Sequence, residues 1–259
     1  MSHLADALNV RDVQLTVISD RCKGIDTAVA EFLPRSAHSL CAFHISQNVA
    51  QRYGRHSASH VWRVANASTP EEYASSLAAL AQVSLAASHY LEDIPKERWV
   101  RAFFPMPRFG HVTSNMAESL NAWLQEQRSQ PPLRFFLDTL RKINELFHER
   151  RQKYEGMNPD DIEPVTFASM TRNTEDGRRL KCLNVFGMKF QVESRVAGSA
   201  LRDVDLECRE CSCKQFEDLG YPCVHACSAA LFSGVRIPSL CIPERRVGSL
   251  QMVFADGTV

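Results

Sequence analysis

Cys211-Ser-Cys213-Lys-Gln-Phe-Glu-Asp-Leu-Gly-Tyr-Pro-Cys223-Val-His225-Ala226 is the stretch on which the reading of this chain turns. It holds a Cys-x-Cys pair and a Cys-x-His pair, nine residues apart. Three thiols and an imidazole are the donor set of a structural zinc ion, bound tetrahedrally with Zn–S near ~2.3 Å and Zn–N near ~2.0 Å. In an extended strand residues i and i+2 share a face, so Cys211 and Cys213 are expected side by side on one strand. Pro222 keeps the approach to the second pair out of helix, and His225 to Phe232 reads as a short apolar helix. The alternative for the four is a set of incidental core cysteines. Cys208 and Cys227 are near enough to compete as ligands. A strand would turn Cys208 away from Cys211, and a helix would turn Cys227 about 200° from His225. Both are therefore expected to be buried small thiols.

The chain has 259 residues, enough for one or two domains with proper cores. Its 30 basic and 30 acidic residues cancel, so no global positive field recruits nucleic acid, although a local groove is not excluded. Five of the nine cysteines fall between Cys208 and Cys227, the distribution of a metal site rather than a disulfide framework. No signal-peptide pattern is present and no apolar run approaches the ~20 residues of a membrane span. An intracellular, reducing compartment and no membrane partner are the expectation, because metal-binding thiols must stay free.

Val13 to Ile18 is a β-branched run of strand length, closed by Ser19-Asp20-Arg21. Gly24 to Leu33 has helical spacing and stops at Pro34, His38 to Phe43 is a second short strand, and a helix follows through Val49. His3 to Leu8 reads as the end of an earlier helix. From Thr69 the pattern is helical, with Tyr73, Leu77, Leu80 and Ala81 on one face and a further helix from Leu85 to Leu91. Thr113 to Glu118 opens another helix, capped by Ser114 or Asn115, and Pro131-Pro132 breaks it. Leu133 to Tyr154 is a long amphipathic helix whose inner face should hold Leu137, Leu140, Ile143, Leu146 and Phe147. Arg150, Arg151 and Lys153 complement the dipole at its end. Gly156 to Glu163 is a loop, and the residues beyond Leu240 lack periodicity, which suggests disorder or a mis-spliced end.

The quoted stretch resembles a SWIM-type zinc finger, the Cys-x-Cys…Cys-x-His module behind the catalytic domain of Mutator-like (MULE) transposases and in the far-red-response factors related to them. Phe190 to Val196 and Val204 to Leu206 look like the strands that lead into it. Leu15-Thr-Val-Ile-Ser-Asp20-Arg-Cys-Lys-Gly24 resembles the transposase segment with the second catalytic aspartate of an RNase H-like fold. Ser114-Asn-Met-Ala-Glu118-Ser-Leu-Asn121 resembles the motif bearing the catalytic glutamate, and Cys41-Ala-Phe-His44 the family's Cys-x-x-His. Alone, Asp20 is as readily a cap or turn residue, and Cys41 and His44 are better read as packing or support than as metal ligands.

The resemblance implies an α/β chain: an incomplete RNase H-like core at 1–48, a helical insertion at 49–110 and returning core helices at 111–155. A linker with strands at 156–204, a ββα zinc finger at 205–235 and a tail at 236–259 would follow. In the family, three carboxylates hold divalent metals for in-line attack on a DNA phosphodiester. Asp20 and Glu118 match two of them. The first has no counterpart here, since Asp6 and Asp12 do not fall at the end of its strand. The expectation is a truncated or domesticated remnant in the nucleus that binds zinc through Cys211, Cys213, Cys223 and His225. DNA, or a protein held through the zinc finger, would be its partner. An active DDE-type transposase, with Mg²⁺ completed by an aspartate encoded upstream, and a transposase-derived transcription regulator are the alternatives.

Overall fold

The computed structural model describes residues 10, 13–193 and 201–255. The chain is mixed α/β and mostly helical, with two small sheets. It divides into two compact units, residues 1–114 with 212–219 and residues 115–211 with 220–259. The expected helix end at His3 to Leu8 lies outside the described residues.

In the first unit β1 (Thr16–Ser19) and β2 (Ala37–Leu40) pair in parallel, Val17 opposite His38 and Ser19 opposite Leu40. Parallel neighbours need a crossover, and α1 (Lys23–Phe32) supplies it. Val29 and Leu33 bury against Val10, Val17, Ile25 and Phe32 beneath this pair. The first strand starts later than its β-branched run, with Val13 exposed. The second is shorter than expected, because Cys41 is already the N-cap of α2 (Ala42–Tyr53). A short apolar run does not tell a strand from a buried helix start, and Leu40-Cys-Ala-Phe43 serves as both.

Four helices make the main core of this unit: α2, α3 (Arg55–Asn66), α4 (Pro70–Val83) and α5 (Leu85–Glu92). Ile45, Val49, Val61, Val64, Leu80, Leu91 and Trp99 lie fully buried between them. Gly54, at φ 90°, turns the chain between α2 and α3 in a conformation that favours glycine. The start of α4 is fixed twice: the Glu72 N–H donates to Thr69 Oγ1 at 3.2 Å, and the Ser68 N–H donates to the Glu72 carboxylate at 2.9 Å. Ser84 accepts from the Ala87 N–H at 3.2 Å and opens α5, which separates it from α4.

The second unit begins with α6 (Asn115–Trp123), followed by α7 (Pro132–Tyr154) and α8 (Pro164–Gly177). Its sheet has the order β3 (Lys181–Phe186), β4 (Lys189–Glu193), β5 (Arg202–Asp205), β6 (Glu210–Cys211), all antiparallel. After α9 (Gln215–Leu219), which lies among the first unit's residues, come α10 (Val224–Ser233) and α11 (Val247–Ala255). Phe190 and Val192 of β4 and Val204 of β5 are buried, and the Phe190 ring meets Phe232 of α10 edge-on, 6.2 Å between centroids. Of the strand expected at Phe190 to Val196, residues 194–196 lie outside the described residues.

Three expectations are overturned here. The apolar stripe of α7 is only partly covered: Leu137 and Leu146 are exposed, whereas Leu140, Ile143 and Phe147 are half-buried, with the Phe147 ring edge-on to Phe254. Residues 241–255 are structured: a 3-10 turn at Ile237–Leu240 precedes them, and another at Pro243–Arg245 leads into α11. Cys241 and Val247 are buried, Ile162 bridges to Arg246, and the Phe254 ring stacks on Tyr154. Its order comes from tertiary contacts, which leave no period in the sequence. The stretch read as a linker also holds α8 and β3.

Candidate metal centre

β5 and β6 run into the ligand segment through a tight turn at residues 206–209, with Arg209 at φ 58°. The strand ends at Cys211, so the expectation that both sulfurs hang from one strand is corrected: Cys213 lies in the turn that follows. Lys214, also at φ 58°, closes that turn. Backbone reversal, rather than strand pleat, brings the two thiols together. Cys223 is the N-cap of α10, and its Sγ accepts from the Ala226 N–H at 3.5 Å. His225 follows in the first turn, where the helix begins as the sequence predicts.

The donor atoms of Cys211, Cys213, Cys223 and His225 all lie within 4.8 Å of one another. His225 turns Nδ1 inward, 3.8 Å from Cys211 Sγ and 3.9 Å from Cys223 Sγ. A tetrahedral zinc ion has neighbouring donors about 3.5–3.8 Å apart, and the two His225 separations are close to that spacing. All three cysteines are buried, and the imidazole is half-buried. Three thiols and one nitrogen converging in a closed site suit a structural rather than a catalytic ion. Among the described residues this is the one group of three or more His, Cys, Asp or Glu side chains placed to hold a metal.

The two neighbouring cysteines part company. Cys227 is buried, and burial pushes its thiol up to about 11, which suits an inert core residue. Cys208, expected to be buried, is exposed in the turn at 206–209, where its N–H donates to Asp205 Oδ1 at 2.9 Å. A hairpin that reverses before the first ligand leaves that thiol in solvent.

The stretch between the two ligand pairs is anchored by a contact that the sequence does not reveal. Asp218 of α9 is buried and accepts the Arg108 N–H at 2.7 Å, with Arg101 Nε 3.6 Å from its other oxygen. The buried Arg108 guanidinium donates to the Trp99 carbonyl at 2.9 Å and lies over the Phe104 ring. Burial pushes it down to about 10, so it stays charged at neutral pH. Nothing in Gln215-Phe-Glu-Asp-Leu219 marks Asp218 as the buried acid, beyond its place two residues after buried Phe216.

Asp20 is exposed at the end of β1, and its Oδ1 accepts from the Cys22 N–H at 3.2 Å, the bond of a turn residue ahead of α1. Glu118 is exposed in the first turn of α6. Neither joins a cluster of three or more donors among the described residues. Cys41 is buried and its Sγ receives the Ser114 N–H at 3.2 Å and hydroxyl at 3.3 Å. Burial pushes this thiol up, but the Ser114 and His44 donors outweigh it and hold it below its ordinary value. Cys41 and His44 belong to no three-donor group among the described residues.

Comparison with known families finds a MULE transposase domain over residues 2–48 and a SWIM zinc finger over residues 198–234. No curated protein and no solved structure matches the chain. The SWIM match encloses all four converging ligands, and the MULE match encloses β1, α1 and β2. Residues 2–48 thus match a MULE transposase domain and residues 198–234 a SWIM zinc finger, the pair that the sequence resembles.

Proposed function

We propose that this transposase-derived protein works through its SWIM finger, holding one structural zinc ion on Cys211, Cys213, Cys223 and His225. The observation that carries the reading is the convergence of those four donors within 4.8 Å. Bound zinc would supply folding free energy, on the order of 10 kcal/mol for such sites at neutral pH. The protein's own part is to deliver two thiols from the turn after β6, and a thiol and an imidazole from the start of α10. DNA is the partner that the MULE match favours, and the nucleus the compartment that follows from such a partner. Asp20 and Glu118 are read as vestigial. Mg²⁺ chemistry on them needs a third carboxylate, and the reading frame ahead of Met1 tests whether one is encoded.

Metal analysis of the purified chain tests the zinc assignment, with about one zinc per chain expected. Cobalt substitution should give the intense near-ultraviolet absorption of thiolate bonding. A cobalt complex lacking that absorption overturns the assignment. DNA binding is tested by fluorescence anisotropy on a duplex across a salt series. Affinity that falls with salt supports phosphate contact, and no binding at low salt removes DNA as the partner.

A further inference from the structure

A second cluster of reactive side chains lies on the parallel pair of the first unit. Ser19 Oγ is 2.7 Å from His38 Nε2, and His38 Nδ1 is 2.8 Å from Asp26 Oδ1. Three separate elements supply these groups: the carboxyl edge of β1, the middle of β2 and the first turn of α1. The β1–β2 register explains how hydroxyl and imidazole meet. His38 is opposite Val17, and Ser19 is two residues further along the same face of β1. Arg98 bonds Asp26, and its guanidinium also lies 2.9 Å from His38 Nδ1. Ser19 Oγ further reaches the Asp20 carbonyl at 2.7 Å.

Carboxylate, imidazole and hydroxyl in this order, each within hydrogen-bond reach of the next, are the arrangement that activates a serine. The environment puts each in the needed protonation state. The Arg98 hydrogen bond beside Asp26 holds its carboxyl below the usual range, so it is ionised. Burial, then the Arg98 charge, pull His38 below its ordinary value, so it is neutral at neutral pH. With the proton on Nδ1, shared with Asp26 where Arg98 also approaches at 2.9 Å, the Nε2 lone pair faces Ser19, whose hydroxyl turns from the Asp20 carbonyl to reach it. Arg98 sits at the carboxylate end of the chain and leaves the serine end clear.

We infer that Ser19, His38 and Asp26 form a nucleophilic serine site that takes acyl electrophiles of the ester class. Ser19 Oγ bonds to the ester carbonyl carbon while its proton passes to His38 Nε2. The carbon–oxygen bond to the alcohol then breaks, and the alcohol leaves with that proton. Water adds to the acyl-serine with Nε2 taking its proton. The carboxylic acid departs, and Ser19 Oγ recovers a proton from the imidazole. This site uses none of the zinc ligands and stands or falls separately from the SWIM reading.

The test is labelling of the full-length, zinc-loaded chain with a fluorophosphonate probe, followed by mass-spectrometric mapping of the adduct. The expected adduct is on Ser19. It is absent in Ser19→Ala and at least tenfold slower in His38→Gln, whose amide can still hydrogen-bond the serine but cannot act as base. Thermal melts establish that each variant is folded, and for a variant that is not, the wild-type adduct site decides. A folded wild-type chain with no adduct at Ser19, or a His38→Gln chain labelled at the wild-type rate, overturns the inference.

Discussion

Cys223 occupies two roles at once, and substituting it separates them. Its sulfur is one of the four metal donors and also the acceptor that caps α10 through the Ala226 N–H at 3.5 Å. Serine at this position keeps an oxygen acceptor for that N–H but is a poor zinc ligand, whereas alanine removes both. In the presence of zinc, Cys223→Ser and Cys223→Ala should each lose metal binding and the bulk of its stabilisation, on the order of 10 kcal/mol. Under chelation only the cap distinguishes them, and losing a helix cap costs about 1 kcal/mol. For a chain of this size that is a difference of about 2–4 °C in melting temperature. The assay is a pair of thermal melts for each variant, with zinc and with chelator, alongside metal content. Zinc content unchanged in Cys223→Ser refutes the ligand set. Serine and alanine melting together under chelator refutes the capping role.

Other perturbations probe the surroundings. Gly177 ends α8 where an added Cβ would lie 2.9 Å from the Val224 carbonyl and 3.0 Å from the Ser228 N–H, so Gly177→Ala should destabilise by about 1–3 kcal/mol despite alanine's better helix propensity, as read from denaturant midpoints. Asp218→Ala leaves the buried Arg108 main-chain N–H without its acceptor and removes the carboxylate beside the Arg101 and Arg108 guanidinium groups, and should cost about 3–5 kcal/mol in the same assay. Asp26 has a depressed carboxyl, so its contribution is present above the unfolded value of 3.8 and lost as pH falls through the lower folded one; acid titration of Asp26→Asn should show a shallower loss of stability below 3.8 than wild type. Iodoacetamide should modify exposed Cys22 and Cys208 in the zinc-loaded chain, and Cys211, Cys213 and Cys223 only after chelation, with peptide mass spectrometry as the readout.

What could be read from the residues was local. The Cys-x-Cys…Cys-x-His spacing named four donors that the fold brings together, because both pairs lie within one short segment and need no distant partner. Thr69 and Pro131 marked helix boundaries through chemistry confined to a turn or less. Contacts made across the chain left no such trace. Asp218 looks like any exposed acid until Arg108 is placed beside it, and the Ser19–His38–Asp26 line needs a parallel register that no run of sequence spells out. The stripe on α7 shows the opposite failure, a clear period of which Leu137 and Leu146 stay exposed while Phe147 meets Phe254. The tail order rests on Tyr154 stacking on Phe254 and on Ile162 bridging to Arg246, pairings that no window of neighbouring residues contains.

Arg209 and Lys214 bracket the first two sulfurs in the left-handed region, each at φ 58°. Residues with a side chain hold that shape at a cost of about 1–2 kcal/mol apiece. That cost is carried by the turn that presents the two sulfurs and is set against the free energy of holding the ion. Zinc exchange should accordingly quicken, and glycine at both positions should lengthen the ion's residence time, measured as slower transfer to a competing chelator.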